Sequence, residues 1–345
     1  AKMTDGHGGP TAGAERDLQA MLKTWFDLGH LTEVDYWILR PFDSIAASFY
    51  GVPKVHKVSL VEKEHHFTVE EGVPPVKIPL GPINSCIGSP TYQVSKYLAH
   101  LLKWLVQSNE YSVENGKEFS DFVRTQRLDM DEIIVSFDVV SLFTSVPVEF
   151  AIDIVKRRLS ETDKWKNYTS LTVKEIVDLL TFVLKNSFFK CGENFYHQIS
   201  GCAMGSPVSA VIAELVMKEV ETVALATSPV RIKWWKRFVD DSNSCMKSDD
   251  VNSFHNHLNS INQHIKFTIE LPTVSEDGIS ISFLDTRTTV SPNGEVMVAV
   301  HRKSTDTEKY LPFDSHNPEQ HKAAVVERYT TAQTLFQPLR REGKS

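Results

Sequence analysis

The sequence predicts a mixed protein of the α+β class, in which helices and strands follow one another irregularly along 345 residues. Residues 14–28 carry apolar side chains at helical spacing, the pattern of an amphipathic helix. The β-branched run at residues 133–137 indicates a buried strand instead. Clusters of glycine, proline and small polar residues lie between such segments and predict turns. Internal repeats are absent from the sequence.

Start and turn signals place the remaining elements. Helices are predicted at residues 14–28, after Ser89-Pro90, from Pro147 to about 159, at 172–186, after Ser206-Pro207 and near 249–264. Strands or extended segments are predicted at 49–57, 133–137, 188–198 (a hairpin around Gly192) and in the runs IKFTIE, ISISFLD and VMVAVHRK. A strong turn signal, Pro292-Asn293-Gly294, separates the last two runs. The polar, Pro-rich residues 58–82 predict an exposed loop or a hairpin.

Composition limits the class of protein. Apolar residues make up 41% and charged residues 23% of the chain, as in ordinary soluble globular proteins. No apolar run approaches the roughly 18 residues of a membrane span, and the N-terminal stretch lacks a signal-peptide pattern. The four cysteines are far apart and form no CxxC pair, so we expect reduced thiols in an intracellular protein. The net charge of −7 argues mildly against a nucleic-acid-binding protein, since such proteins usually carry basic surfaces, but a polymerase can confine its basic residues to a groove.

An adjacent pair of acids lies in the segment WWKRFVDDSNSCM, residues 234–246. Neighbouring carboxylates repel each other unless a positive charge is close, so Asp240 and Asp241 indicate either a solvated turn or a metal site. If the pair lies in a hairpin turn beside the strand that ends at Asp138, three carboxylates converge. Two Mg²⁺ ions roughly 3.5–4 Å apart would satisfy such a cluster. Oxygen ligands favour Mg²⁺ over zinc.

Three segments resemble the catalytic motifs of Penelope-like reverse transcriptases: FDVVSLFTSVP at 137–147, GCAMGSPVSA at 201–210 and FVDD at 238–241. The segments FYGVPKVHK, IGSPTYQVSKYLA, ISFLD and HRKSTDTEKYLPFDSHNPEQHKAAVV are similar to further parts of that family, in the same order, from about residue 49 to 330. The resemblance implies a right-hand polymerase fold with fingers, palm and a partial thumb. The implied division is a tail and helix at 1–45, fingers at 46–130, palm at 131–285 with finger-like helices at about 148–190, and the start of the thumb at 286–345.

The resemblance also implies an activity, RNA-directed DNA polymerisation by a Penelope-like retrotransposon protein. It implies two Mg²⁺ ions as cofactors, an RNA template, a DNA primer and deoxynucleoside triphosphates as partners, no membrane association and a nuclear location. Asp138 and Asp240 would hold the two ions, with Asp241 in support. Such a site would join nucleotides by in-line phosphoryl transfer.

Further residues receive nucleotide-binding and strand-binding roles from the resemblance. Phe143 would lie against the sugar and leave no room for a 2′-hydroxyl, although it also fits a core aromatic. Gln198 would lie near the template and nucleotide, or would be a polar strand residue. The remaining positions are two glycines that let backbone approach the nascent base pair, two lysines that face phosphate or are solvated charges, and two cations that grip the primer: Gly201, Gly205, Lys54, Lys57, Arg302 and Lys303.

Some positions depart from the family pattern. Gly81 stands where the family has an arginine that contacts the triphosphate, and the nearby Lys77 would supply only a point charge. Ser-Asn-Ser-Cys-Met follows the acid pair in place of the usual Phe and Trp. These departures keep open a second hypothesis, a catalytically weakened, polymerase-derived nucleic-acid-binding protein. A third is a structural or interaction protein that binds no nucleic acid.

Overall fold

The computed structural model describes residues 9–54, 79–106, 110–275, 278–302 and 311–326. The chain divides into two compact units, each assembled from separate segments. Unit one contains Ala1–Gln107, Ser141–Val223 and Asn262–Ile265, and unit two contains Ser108–Val140, Ala224–Ile261 and Lys266–Ser345. The division into fingers, palm and thumb stays a prediction.

The helices and strands of the described residues are numbered in chain order. The helices are α1 Gly9–Asp27, α2 Glu33–Leu39, α3 Tyr92–Leu102, α4 Gly116–Val123, α5 Leu142–Ser145, α6 Val148–Ser160, α7 Val173–Lys185, α8 Pro207–Ala226 and α9 Val251–Ser260. The strands are β1 Ala47–Pro53, β2 Leu80–Ser85, β3 Glu132–Val139, β4 Phe188–Cys191, β5 Asn194–His197, β6 Ile232–Phe238, β7 Asp241–Lys247, β8 Phe267–Glu270, β9 Thr273–Ser275, β10 Gly278–Phe283, β11 Thr286–Val290 and β12 Val296–Val300. None of the helices in the described part of the chain has both the length and the apolar character of a membrane span.

Unit one contains a four-stranded sheet in the order β2-β1-β4-β5. β1 pairs antiparallel with β2 and parallel with β4. β2 is an edge strand, and this position tolerates Pro82, which cannot donate a ladder hydrogen bond. β4 and β5 form the hairpin predicted around Gly192, whose φ is 58°. Ala47 of β1 forms a small buried cluster with Cys86 and Ala203, against which Phe189 of β4 packs.

Helix α7 begins at Val173, one residue after the predicted start at residue 172. The Thr172 side chain accepts from the Glu175 backbone, and the Glu175 side chain accepts from the Thr172 backbone, which completes a capping box. Glu175 also pairs with His30, with 2.8 Å between Oε1 and Nδ1. Burial alone would raise the pKa of Glu175, but the hydrogen bonds from Thr172 and His30 outweigh it and hold the pKa below its usual value.

Unit two contains two four-stranded sheets, in the orders β6-β7-β3-β8 and β12-β11-β10-β9. Side chains of Ile134, Trp234 and Cys245 lie in one buried cluster with residues of α4, β10 and β11. Phe119 of α4 meets Phe283 of β10 edge to face, with ring centroids 4.6 Å apart. The two sheets and α4 therefore share one core.

The opposite face of the β3 sheet packs on α9. The rings of Phe137, Trp235 and Phe254 lie 5.5–5.8 Å apart in this second cluster. Odd-numbered and even-numbered residues of β3 thus face different partners, as strand alternation requires. The β3 run predicted from sequence is therefore buried on both faces.

Strand β11 is one of the strands that the sequence analysis did not predict. The turn at Pro292-Asn293-Gly294 joins β11 to β12, and not the ISISFLD strand to VMVAV as expected. β11 reads TRTTV, and its inward positions include Thr286 and Thr288, which are 2% and 1% exposed. Threonine at the buried positions hides the alternation of apolar and polar residues on which strand prediction depends.

Candidate functional site

The acid pair lies at the tip of a tight hairpin, the condition on which the metal-site hypothesis depends. Phe238 of β6 pairs with Asp241 of β7, so Val239 and Asp240 are the two turn residues. Val239 has a φ of 56°, an unusual value for a β-branched residue. A positive φ at the first central position alone is characteristic of a type II′ turn. Val239 thus holds backbone strain next to the predicted catalytic residue Asp240.

A buried arginine holds this turn. Arg237 is only 2% exposed, and its Nη1 donates a 2.8 Å hydrogen bond to the carbonyl oxygen of Val239. The Arg237 backbone is also held by residues 111–113. Its amide donates to the Tyr111 carbonyl oxygen at 2.7 Å, and its carbonyl oxygen accepts from the Val113 amide at 2.9 Å. Sequence reasoning missed this residue. The sequence feature that could have indicated its burial is its spacing: Arg237 follows Trp235 by two residues and so lies on the same, buried face of β6.

Asp138 lies directly opposite the acid pair. β3 and β7 are antiparallel, and their register pairs Asp138 with Asp241. Residues paired in this way have side chains on the same face of a sheet. The Val139 amide donates a 3.3 Å hydrogen bond to the Asp240 carbonyl oxygen, which attaches the turn to the end of β3. The predicted placement of the β3 strand beside the acid hairpin is confirmed.

The three carboxylates differ in exposure. Asp138 and Asp241 are exposed, whereas Asp240 is half-buried. No three His, Cys, Asp or Glu side chains within the described ranges are grouped as metal ligands. The backbone register and the oxygen donors suit Mg²⁺, but the side chains are not gathered around one point. The metal-binding roles of these residues stay predictions.

Unit one brings two other predicted residues together. Phe143 is half-buried in α5, and its carbonyl oxygen accepts a 2.6 Å hydrogen bond from the Cys202 amide. Gly201 has a φ of 74°, and a Cβ there would lie 2.4 Å from Thr144 Cα and 2.5 Å from the Phe143 oxygen. Only glycine permits this approach. The GCAMGSP segment is therefore fitted against Phe143 and Thr144 of the FDVVSLFTSVP motif.

Gln198 and Gly205 meet β2 through Asn84. The Asn84 side-chain Nδ2 donates to Gln198 Oε1 at 3.2 Å, and Gln198 Nε2 donates to the Ser200 carbonyl oxygen at 2.9 Å. A Cβ on Gly205, whose φ is 128°, would lie 2.1 Å from the Asn84 carbonyl oxygen. Asn84 received no role from the sequence. Its signal was a polar residue in a strand position flanked by Ile83.

The Lys54 side chain lies against Gly81, the position at which the sequence departs from the family pattern. A Cβ added to Gly81 would meet Lys54 Cε at 3.4 Å, an ordinary contact distance. The Lys54 amide donates to the Pro79 carbonyl oxygen at 2.8 Å, which continues the β1–β2 pairing. A lysine chain therefore covers the position at which the family pattern has an arginine.

The other predicted cations are less defined. Arg302 is exposed just after β12. Its neighbour His301 is fixed by a 2.9 Å hydrogen bond from its amide to the Asp285 carbonyl oxygen. Lys57, Lys77 and Lys303 lie outside the described residues.

Solved structures similar to this chain are polymerases. A telomerase from Candida albicans in complex with a fragment of telomeric RNA has 12% identity and a TM-score of 0.49, over 68% of this chain and 41% of that one. Apo telomerase from Candida tropicalis has 11% identity and a TM-score of 0.48, over 84% and 52%. The BmCPV RNA-dependent RNA polymerase at its elongation state has 12% identity and a TM-score of 0.44, over 88% and 27%.

The chain spans about half the length of the telomerases and about a quarter of the viral polymerase. No protein-family model matches the sequence, and no curated protein sequence matches it. At these identities the likeness does not extend to an activity.

Proposed function

We propose that this protein is an RNA-directed DNA polymerase of the Penelope-like type, which adds deoxynucleotides to a DNA primer on an RNA template. The observation that carries the proposal is the register of β3 and β7. It pairs Asp138 with Asp241 and leaves Asp240 in the two-residue turn between β6 and β7. These are the positions that the motif order selects, although the two segments lie far apart in the chain.

Asp138 and Asp240 would hold two Mg²⁺ ions, with Asp241 in support. When bound, such ions lower the pKa of an attacking hydroxyl and neutralise the charge of the leaving group. The protein's own part is to fix the carboxylates. It does so through the Val139–Asp240 backbone hydrogen bond and through Arg237, which holds the carbonyl oxygen of Val239. Both contacts lie within unit two.

Phe143 and Lys54 would handle the nucleotide. Phe143, with its carbonyl oxygen bound to the Cys202 amide, would present an aromatic ring to the sugar and exclude a 2′-hydroxyl. Lys54, which covers Gly81, would supply a cation for phosphate. A lysine gives a point charge where a guanidinium would give two parallel hydrogen bonds, so we expect weaker nucleotide binding than an arginine would provide.

Primer extension on poly(rA)/oligo(dT) with dTTP and Mg²⁺ tests the proposal. We expect incorporation by the wild type and its loss, by a factor of about a thousand or more, in Asp240→Ala, because transition-state charge stabilisation is on this order. Asp249→Ala is the matched control, since Asp249-Asp250 is a second adjacent acid pair in the same unit. Incorporation that survives Asp240→Ala would place the active site elsewhere.

The same preparations separate the competing hypotheses. If wild type and Asp240→Ala both bind the primer–template and neither extends it, the protein is a catalytically weakened, polymerase-derived nucleic-acid-binding protein. Absence of binding in a titration down to low salt, where phosphate contacts are strongest, indicates a structural or interaction protein.

Sugar selection gives an independent test of Phe143. Phe143→Ala removes the ring that would meet a 2′-hydroxyl, and we expect the ratio of dTTP to rUTP incorporation to fall by at least tenfold. An unchanged ratio would mean that Phe143 is a packing residue and that another side chain selects the sugar.

A further inference from the structure

The side chains of Gln198 and Asn84 form a hydrogen-bond chain with a fixed direction. It begins at the carbonyl oxygen of Ser200, which can only accept. Gln198 must therefore turn Nε2 toward Ser200, at 2.9 Å, and this leaves Oε1 on the other side. That oxygen also only accepts, so Asn84 must present Nδ2 to it, at 3.2 Å. One backbone carbonyl thus sets the orientation of both amides.

Asn84 is held rigidly at the other end of this chain. It is 8% exposed and lies in β2 opposite Phe49. Its amide donates to the Met204 carbonyl oxygen at 2.8 Å. Its own carbonyl oxygen abuts Gly205, where a Cβ would come within 2.1 Å. The Asn84 backbone is therefore fixed by β2 and by the 204–205 backbone, and its side chain extends toward Gln198 from a fixed point.

The Asn84 side chain is oriented at the cost of one unsatisfied buried polar atom. Its Oδ1 is buried and has no hydrogen-bond partner among the described residues. The residue lines a cavity of about 30 Å³, room for one or two waters. Among the described residues, the Asn84 side chain makes one hydrogen bond, which it donates to Gln198. The buried Asn84 amide is therefore best explained by its hydrogen bond to Gln198, whose side chain it holds in place.

We propose that Asn84 is a positioning residue, which fixes the Gln198 amide so that its second N–H faces an oxygen of the incoming nucleotide. This inference rests on the proposed polymerase function. Gln198 has two N–H donors and Ser200 takes one, so one donor remains for a ligand. Without Asn84 the amide loses the partner that keeps Oε1 turned away, and the remaining donor is no longer held in place.

Asn84→Asp converts this role into a pH dependence. The protonated carboxylic acid donates to Gln198 Oε1 as the amide does, whereas the ionised form only accepts and repels that oxygen. Burial raises the pKa of such a carboxyl. Among the residues lining the cavity, Cys86 alone has a titratable side chain, and burial raises its pKa to about 11. Between about pH 6 and 9 the introduced aspartate is thus the cavity group that titrates.

The experiment measures KM and kcat for dTTP in primer extension at several pH values between about 6 and 9. Relative to wild type in the same buffers, we expect Asn84→Asp to show a KM that rises roughly tenfold with pH, the size of one lost hydrogen bond with its partner left unsatisfied. Asn84→Leu, close in size but without a donor, shows the raised KM at every pH. Gln198→Ala raises KM and abolishes the pH dependence of Asn84→Asp in the double variant.

Thermal melts by circular dichroism at each pH show that the variants are folded. Wild-type KM values in both Asn84 variants, or effects that simply add to those of Gln198→Ala, overturn the positioning role. Failure of the proposed function looks different. In that case the wild type itself shows no Asp240-dependent incorporation, before any Asn84 variant is compared.

Discussion

Gly201→Ala is the sharpest test of the packing around Phe143, because the chain contains a matched control. Gly201 and Gly29 have nearly equal φ values, 74° and 76°. A Cβ on Gly201 would lie 2.4–2.5 Å from backbone atoms of Phe143 and Thr144, whereas a Cβ on Gly29 would meet nothing within 4 Å. Both substitutions therefore introduce the same backbone strain, and only one introduces a clash.

The expected losses of stability follow from the backbone strain in both variants and from the clash in Gly201→Ala. An alanine in the left-handed region costs about 1–2 kcal/mol, and the stiffer unfolded chain returns about 0.4–1 kcal/mol. We therefore expect Gly29→Ala to lower the free energy of unfolding by about 1 kcal/mol. At Gly201 the backbone must also move by several tenths of an ångström, since Cβ contacts under 3.0 Å are essentially never seen. Overpacking of this kind adds about 1–3 kcal/mol, for a total of about 2–4 kcal/mol.

Urea unfolding followed by circular dichroism measures both variants against wild type, and primer extension with dTTP and rUTP reports on Phe143. Gly201→Ala should be the less stable variant by about 1–3 kcal/mol and should show altered sugar discrimination, while Gly29→Ala keeps it. Equal unfolding free energies for the two variants would refute the close approach of the 201–202 backbone to Phe143.

Three further predictions test other parts of the structure. Glu175→Gln should lower the free energy of unfolding by about 1–3 kcal/mol at neutral pH, as for hydrogen bonds to a charged group. Because the folded pKa of Glu175 is depressed, its contribution is present above the ordinary glutamate pKa and is lost as pH falls through the folded value. Wild type and variant should converge under acid, and a pH-independent difference argues against the charged pairing. Cys191 should be the thiol that reacts with iodoacetamide in the folded protein, since the other three are buried and burial raises their pKa values to about 11 or 12. Mass spectrometry of native and unfolded samples, with Cys191→Ser as control, locates the label, and fast native labelling of a second cysteine contradicts the packing. Lys54→Met should raise KM for dTTP about tenfold by removing the ammonium, whereas Gly81→Ala should leave KM unchanged because its Cβ makes only a 3.4 Å contact. Equal KM values for Lys54→Met and wild type would remove Lys54 from the nucleotide site.

Much of the local structure follows from the sequence. The β4–β5 hairpin lies around Gly192 and α7 begins beside residue 172, as turn and start signals predict, and the acid pair lies in the supposed β6–β7 hairpin. Each of these signals is contained within a few consecutive residues, because a turn or a cap satisfies its own backbone groups. The order of the motifs along the chain likewise needs no coordinates.

Contacts that depend on burial and on packing between elements were decided by the tertiary structure. Asn84 and Gln198 are 114 positions apart, and the bond between their side chains follows from β2 meeting the loop before α8. The bond from Arg237 to Val239 depends on a guanidinium being buried, which a basic stretch such as RIKWWKR does not indicate. β11 was missed because threonine occupies its buried positions. In each case the deciding quantity is which surfaces pack together, and a one-dimensional pattern of polarity does not contain it.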